Sequence, residues 1–195
     1  MSRDRERSRQ ELLVDPAVSR AKFDRELEEY RAIAADQRKL GWWILSAEYP
    51  NVLVAFTVPH LRPSPVALGA VLNFDNYDLW PPSVTIVNPF TAEPLKYREI
   101  PEGARMLRVD AATGQVLPLL QAHRVDDIPF VCIEGVREYH DHPAHTGDDW
   151  FLHRGGPRGK LFFLLEKLYI YGARPFRGFE IAMGVRGLLL GEIPS

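Results

Sequence analysis

Apolar side chains recur at helical spacing near the start of the chain. Successive members lie four, three and four residues apart, so they share one face of a helix. These residues are Phe23, Leu27, Tyr30 and Ala34. Asp15 is a suitable N-cap, Pro16 fits the first turn, and Gly41 fits the C-terminal stop. The pattern therefore predicts one helix between Asp15 and Gly41.

Runs rich in β-branched and aromatic residues follow this helix. They predict four strands, over residues 42–47, 52–58, 66–74 and 83–87. Turn residues separate the runs, beginning with Pro50 and Asn51, and Gly69 predicts a bulge in the third strand. We therefore expect an antiparallel meander.

The second half of the chain predicts a hairpin, a short strand and a helix. The hairpin covers residues 106–109 and 115–120, the strand residues 128–133, and the helix residues 160–171 before Gly172. The fold class is thus α+β, with an N-terminal helix, a four-stranded antiparallel meander, an extra hairpin and a C-terminal helix. We expect one domain over residues 15–172, a flexible tail over residues 1–14 and a C-terminal extension over residues 173–195.

Composition narrows the function classes. The 195 residues are 46% hydrophobic and 26% charged, with a net charge of −2, so no strong field favours nucleic acid or an anionic membrane. No apolar run approaches the ~20 residues that span a bilayer, and no signal peptide is evident. We expect a cytoplasmic protein whose single cysteine stays reduced.

The reactive side chains concentrate in one stretch. It begins at the single cysteine, Cys132, and holds four of the six histidines by residue 153. Cys132 and Glu134 are two residues apart, as are His140 and His142, so on extended backbone each pair faces one side. Thiolate, carboxylate and imidazole ligands suit Zn²⁺ or another divalent ion, and His145 could replace one ligand. Three carboxylates could support the imidazoles from behind, namely Asp141, Asp148 and Asp149.

The same residues also suit other roles. Cys132 could be a nucleophile, because nearby imidazoles would lower the pKa of its thiol and Arg137 would help to stabilise the thiolate. A backbone amide near Gly135 or the Tyr139 hydroxyl could bind an oxyanion. Metal ligation and nucleophilic turnover compete for one sulfur, and Cys132 could instead be a buried apolar side chain beside a solvated polar loop.

A proline pair, Pro81-Pro82, closes the run Tyr77-Asp-Leu-Trp-Pro-Pro between the third and fourth predicted strands. Together with the order of helix, meander, cysteine and helix, this run resembles the ubiquitin-conjugating enzyme (UBC/RWD-like) fold. The likeness covers residues 16–90 and, more loosely, 128–171. Asp78 stands where that family has its first proline, and residues 91–95 stand where it has His-Pro-Asn.

The cysteine stretch resembles a bacterial family described as a predicted metal-binding domain with a Cys-Glu-His-His signature, associated with ubiquitin-like conjugation systems. The matching residues are Cys132, Glu134, His140 and His142. The resemblance implies a transferase in a bacterial ubiquitin-like conjugation pathway, in which Cys132 forms a thioester and His140 or His142 is the base. Its partners would be a ubiquitin-like protein and the activating enzyme, which would dock on the N-terminal helix.

Two other functions are compatible with the sequence. The chain could be a non-catalytic zinc-binding adaptor of the same pathway. It could also be a metal-dependent hydrolase, in which Glu138 would activate a metal-bound water.

Overall fold

Residues 14–178, which this computed structural model describes, begin with two helices rather than the single predicted one. The first, α1 (Pro16–Arg31), starts as expected, because the Asp15 side chain accepts a hydrogen bond from the Ala17 N–H at 2.8 Å. It ends in a tight turn, in which the Ile33 N–H bonds to the carbonyl three residues earlier. The second helix, α2 (Ala34–Lys39), leads to Gly41, whose positive φ of 91° stops the helix as predicted.

The predicted four-stranded antiparallel meander is confirmed. Its strands are β1 (Trp42–Glu48), β2 (Asn51–Thr57), β3 (Val66–Asn73) and β4 (Ser83–Ile86), and they are neighbours in chain order. The connections over residues 49–50, 58–65 and 74–82 explain this order, since each is shorter than the crossover of about a dozen residues that parallel pairing needs.

The bulge predicted at Gly69 is wrong. Gly69 pairs in register with Ala55, and the irregularity in that strand pair lies between Phe56 and Thr57 instead. A side chain at position 69 would bring its Cβ within 2.7 Å of the Val87 carbonyl oxygen. Glycine is needed here because neighbouring backbone passes close to β3.

The core lies on one face of the sheet. Alternate residues of β2, β3 and β4 are buried there, as the period of two requires. These residues are Val52, Val54, Phe56, Ala70, Leu72, Val84 and Ile86. Helix α1 contacts this face through the Phe23 ring, 5.4 Å from that of Phe74, and the Trp42 ring of β1 lies 5.3 Å from Tyr169 of the C-terminal helix.

The second half contains the predicted elements with different bounds. A hairpin of β5 (Leu107–Val109) and β6 (Val116–Pro118) is followed by β7 (Leu120–Gln121), which pairs with β8 (Phe130–Val131). Helix α3 (Arg137–His140) comes next, and α4 (Leu161–Gly172) agrees with the predicted C-terminal helix.

The predicted extended backbone is wrong at His140, whereas His142 does have extended dihedral angles, with φ −80° and ψ 129°. His140 ends α3, and the Asp141 N–H bonds back to the Arg137 carbonyl at 3.0 Å. The helical turn removes the two-residue alternation on which the predicted ligand pairing depended. The predicted tail up to residue 13, and the extension beyond residue 178, lie outside the described residues.

Candidate functional site

Cys132 directly follows β8 and prolongs its pairing with the preceding chain. The Cys132 N–H donates to the Leu119 carbonyl at 2.7 Å, next to the paired residues Val131 and Leu120. Only 8% of the residue is exposed. The backbone around the sulfur is therefore fixed by a short sheet.

Helix α3 is attached to the proline pair between β3 and β4. The Arg137 N–H donates to the Pro82 carbonyl at 2.9 Å. The guanidinium of Arg137 donates to the carbonyls of Pro81 at 3.2 Å and Asp75 at 2.7 Å. Arg137 is 4% exposed, so its charge serves these buried carbonyls. The expectation that Arg137 stabilises the Cys132 thiolate has no support in this geometry.

Glu138 strengthens the same attachment. Its carboxylate accepts hydrogen bonds from the Ser83 hydroxyl and, at 3.4 Å, from the Val84 N–H at the start of β4. This carboxylate, considered from the sequence as the base of a hydrolase, is thus bound to the sheet. Its role in the described structure is to hold α3 against β4.

His145 is the histidine that reaches the cysteine. Its Nε2 lies 3.1 Å from the Cys132 Sγ, within the distance of a hydrogen bond to sulfur. The His145 ring also stacks on the Tyr139 ring, with centroids 3.8 Å apart and planes at 25°. The site therefore contains a thiol–imidazole pair with an aromatic ring behind the imidazole.

His140, the predicted base, holds backbone instead. Its Nε2 accepts a hydrogen bond from the Gly135 N–H at 3.1 Å, so its hydrogen is on Nδ1 and is donated to the Asp148 carbonyl at 2.7 Å. Both ring nitrogens are engaged. The Gly135 amide and the Tyr139 hydroxyl, which donates to the Asp148 carboxylate at 2.7 Å, are likewise engaged, although the sequence suggested them as oxyanion donors.

The other predicted metal ligands point to separate partners. Glu134 pairs with Arg158 at 3.1 Å, and His142 Nδ1 accepts from the Ala144 N–H at 3.2 Å. Within residues 14–178, no three His, Cys, Asp or Glu side chains are arranged to hold a metal ion. The set of Cys132, Glu134, His140, His142 and His145 thus does not fit a zinc ion in this arrangement, and zinc binding stays a prediction.

The Asp148 carboxylate joins two side chains next to the Cys132–His145 pair. It accepts hydrogen bonds from Tyr139 at 2.7 Å and from His153 Nε2. Arg158 donates to the other nitrogen of His153 at 3.0 Å. We call these four residues the Asp148 network. The sequence had suggested Asp148 as a partner of imidazoles, but it gave no sign of the parts played by His153 and Arg158.

Burial disfavours the charged forms of both the Cys132 thiol and the His145 imidazole. It raises the pKa of Cys132, because the thiolate is poorly solvated there, and the positive charge of Arg108 partly opposes this rise. Burial also lowers the pKa of His145, and the neighbouring His142 lowers it further. Arg108, in the β5–β6 hairpin, was not identified from the sequence, where it is one arginine among many.

None of the helices between residues 14 and 178 has the length and hydrophobicity that a bilayer-spanning helix needs.

Comparison with known proteins identifies the family of this chain. The chain is 39% identical over 194 residues to a protein described as "Uncharacterized protein y4jH" from Sinorhizobium fredii (strain NBRC 101917 / NGR234), a match that covers 91% of this chain and 94% of that protein. Residues 14–176 match the Y4jH-like family, described as the Y4jH family. The chain belongs to the Y4jH-like family.

Proposed function

We propose that this protein is a ubiquitin-conjugating-enzyme-like transferase, in which Cys132 carries the C-terminus of a ubiquitin-like protein as a thioester. The observation that carries this proposal is the 3.1 Å distance between Cys132 Sγ and His145 Nε2. A thiol becomes a strong nucleophile when it loses its proton, and an imidazole within hydrogen-bond reach can take that proton. The base in this proposal is His145, in place of the His140 expected from the sequence.

The arrangement of elements supports the proposal. An N-terminal helix, a four-stranded antiparallel meander, a cysteine and a C-terminal helix follow in the order of the UBC/RWD-like fold that the sequence resembles. The proline pair of that resemblance contacts the cysteine region directly, because Pro81 and Pro82 accept hydrogen bonds from Arg137. Fold analogy alone does not carry function, so the thiol–imidazole pair remains the main support.

The first step would be exchange of a thioester. The Cys132 sulfur attacks the carbonyl carbon of a C-terminal glycyl thioester carried by the activating enzyme. A new carbon–sulfur bond forms to Cys132, and the bond to the activating enzyme's sulfur breaks. His145, in the tautomer with its hydrogen on Nδ1, accepts the thiol proton and returns it to the departing thiolate.

The second step would transfer the acyl group to an amine. The amine nitrogen attacks the Cys132 thioester, an amide bond forms, and the bond to the Cys132 sulfur breaks. The amine loses a proton to His145, which passes it to the Cys132 thiolate and so restores the resting pair. Burial lowers the pKa of His145, which favours the neutral imidazole, the form that can accept this proton.

The other functions considered from the sequence lack such an observation. A zinc adaptor needs a ligand set that residues 14–178 do not assemble in this arrangement. A metal-dependent hydrolase needs a free base, and the Glu138 carboxylate accepts hydrogen bonds from Ser83 and Val84.

A model acyl donor tests the proposal without the natural partners. The protein is mixed near pH 7 with a short peptide α-thioester that ends in glycine, and intact mass is followed over time. We expect one acyl group on Cys132, removable by hydroxylamine, because a thioester is cleaved by that nucleophile. His145→Gln should slow acylation about 100-fold, the low end of the contribution of a general base.

Two controls separate catalysis from ordinary thiol chemistry. Cys132→Ala should take up no acyl group, since the chain has no other cysteine. The wild-type chain unfolded in urea should react more slowly than the folded protein, because unfolding separates the thiol from His145. If the unfolded chain reacts as fast as the folded one, or if His145→Gln reacts as fast as wild type, the transferase proposal is wrong.

A further inference from the structure

Hydrogen bonds at Asp148 hold the loop that carries His145 in place. His145 closes a short 3₁₀ turn (Pro143–His145), and the Asp148 N–H donates to the His145 carbonyl at 3.1 Å. The His140 ring holds the Asp148 carbonyl at 2.7 Å from the other side. These hydrogen bonds to main-chain groups therefore fix where the loop lies, but they do not fix the plane of the His145 ring.

Tyr139 is the side chain that sets this plane. Its ring stacks on His145, with centroids 3.8 Å apart. Its own orientation is fixed by the hydrogen bond from its hydroxyl to Asp148 Oδ2 at 2.7 Å. The second oxygen of Asp148 accepts from His153, which Arg158 holds at 3.0 Å. A continuous chain of contacts thus runs from Arg158 to the ring beside the Cys132 sulfur.

We propose that Asp148 is a positioning residue of the Cys132–His145 pair, acting through Tyr139 to orient the His145 ring toward the sulfur. The role assigned to the pair rests on the proposed function. Asp148 contacts neither the Cys132 sulfur nor the ring nitrogens of His145, so it orients the pair without being a catalytic residue. Its carboxylate also supplies a negative charge near the imidazolium that forms when His145 takes the thiol proton.

Charge supports this assignment. The hydrogen bonds from His153 and Tyr139 lower the pKa of Asp148, so the carboxylate stays ionised near neutral pH. Asp148 in turn raises the pKa of His145, against the lowering effect of burial. The Nδ1 of His153 accepts a hydrogen bond from Arg158, so its ring hydrogen is on Nε2 and is donated to Asp148. This bond holds the Asp148 carboxylate in one orientation.

Alkylation of Cys132 by iodoacetamide tests the proposal and needs no acyl donor. Asp148→Asn should slow alkylation about tenfold, a part of the roughly 100-fold loss of rate that a 1 Å misplacement of a reacting group can cause. Tyr139→Phe, which keeps the stacked ring and loses the hydroxyl, should slow alkylation less than Tyr139→Leu, which loses both. Asp148→Glu should recover part of the lost rate, because it keeps a carboxylate. Asp36→Asn, an exposed change in α2, is the matched control and should leave the rate unchanged.

A double-mutant cycle separates positioning from general support of the fold. If Asp148 acts through His145, Asp148→Asn should have little further effect once His145→Gln has removed the imidazole. Equal slowing in both backgrounds, or faster alkylation through an exposed thiol, would overturn the positioning role. Circular dichroism checks that each variant is folded, and Tyr139→Phe carries the same cycle if Asp148→Asn does not fold.

The outcome is separable from that of the acyl-transfer experiment. Coupling between Asp148 and His145 in alkylation, without any acylation by the peptide thioester, would retain the positioning role and reject the transferase. Acylation that depends on His145 and not on Asp148 would retain the transferase and reject the positioning role.

Discussion

The core beneath the four-stranded sheet and the segment around Cys132 are held together by different forces. In the core, apolar rings and aliphatic side chains bury each other, as Phe74 does between Phe23 at 5.4 Å and Tyr77 at 5.0 Å. In the segment from Cys132 to Arg158, polar side chains bind backbone groups or one another, as His140 does. Contacts between apolar side chains have no strict direction, so volume-conserving changes in the core cost little stability. The Cys132 segment depends on directional hydrogen bonds, and losing one of them affects the particular group that it holds.

The largest expected effect lies in the core. Phe74→Ala should lower the free energy of unfolding by about 3–5 kcal/mol, because Phe74 is fully buried and its neighbours cannot fill the space. Urea denaturation measures the change. Phe90, which is 84% exposed, is the matched control, and Phe90→Ala should stay within about 0.5 kcal/mol of wild type. A loss at Phe74 no larger than that at Phe90 would mean that the ring is not part of the core.

A smaller and more local effect is expected at His140. His140→Ala leaves the Gly135 N–H and the Asp148 carbonyl without their partner, and because both hydrogen bonds are only partly buried we expect a total cost of about 1–3 kcal/mol. Amide hydrogen exchange should show lost protection at Gly135, while amides of β2 keep theirs. His123→Ala, an exposed histidine, should leave the protection at Gly135 unchanged. Uniform loss of protection across the sheet would show that the two regions unfold as one unit.

This contrast explains how far the sequence predicts the molecule. Periodicity identified the sheet, because burial of one face imposes a period of two on β2, β3 and β4. The same reasoning failed between His140 and His142, because His140 lies in a helical turn that Arg137 and Glu138 fix against the proline pair and β4. Those contacts join residues 55 and 56 positions apart, so a local sequence pattern does not reveal them.

The site was predicted in composition but not in arrangement. Cys132 and His145 were both among the predicted residues, yet spacing gave no reason to pair them over His140. The choice depends on Gly135 and Asp148, whose backbone groups occupy both nitrogens of His140. Helix α1 likewise appeared longer in sequence than in structure, because its apolar stripe reaches Ala34 across the break after Arg31.

A titratable group inside the core sharpens the comparison further. Glu26 is 3% exposed and accepts hydrogen bonds from the Leu161 N–H at 3.2 Å and the Tyr77 hydroxyl at 3.3 Å. Burial raises its pKa, so the folded protein binds a proton there more tightly than the unfolded chain does. This contribution to stability is complete below the unfolded pKa of about 4.3 and is lost as pH rises through the folded pKa.

Glu26→Gln should remove that pH dependence, because the amide keeps an acceptor for Leu161 without an ionisable proton. We expect the variant to gain stability relative to wild type as the pH rises above the unfolded pKa of about 4.3, measured by thermal unfolding at each pH. Glu29→Gln, an exposed neighbour on α1, is the matched control and should change the profile much less. A wild-type profile with the same slope as that of Glu26→Gln would place the relevant titration elsewhere.

The smallest effect is expected from metal removal. If directional hydrogen bonds hold the segment around Cys132, a chelator should leave the melting temperature and the rate of Cys132 alkylation unchanged. Added zinc should protect the thiol only weakly, because Glu134 is bound to Arg158, and both nitrogens of His140 are engaged. Elemental analysis of the purified protein, compared with His142→Ala, gives the direct measurement. One tightly held equivalent of zinc, lost in Cys132→Ser and in His142→Ala, would mean that the segment rearranges around a metal and that zinc, rather than the Asp148 network, orders it.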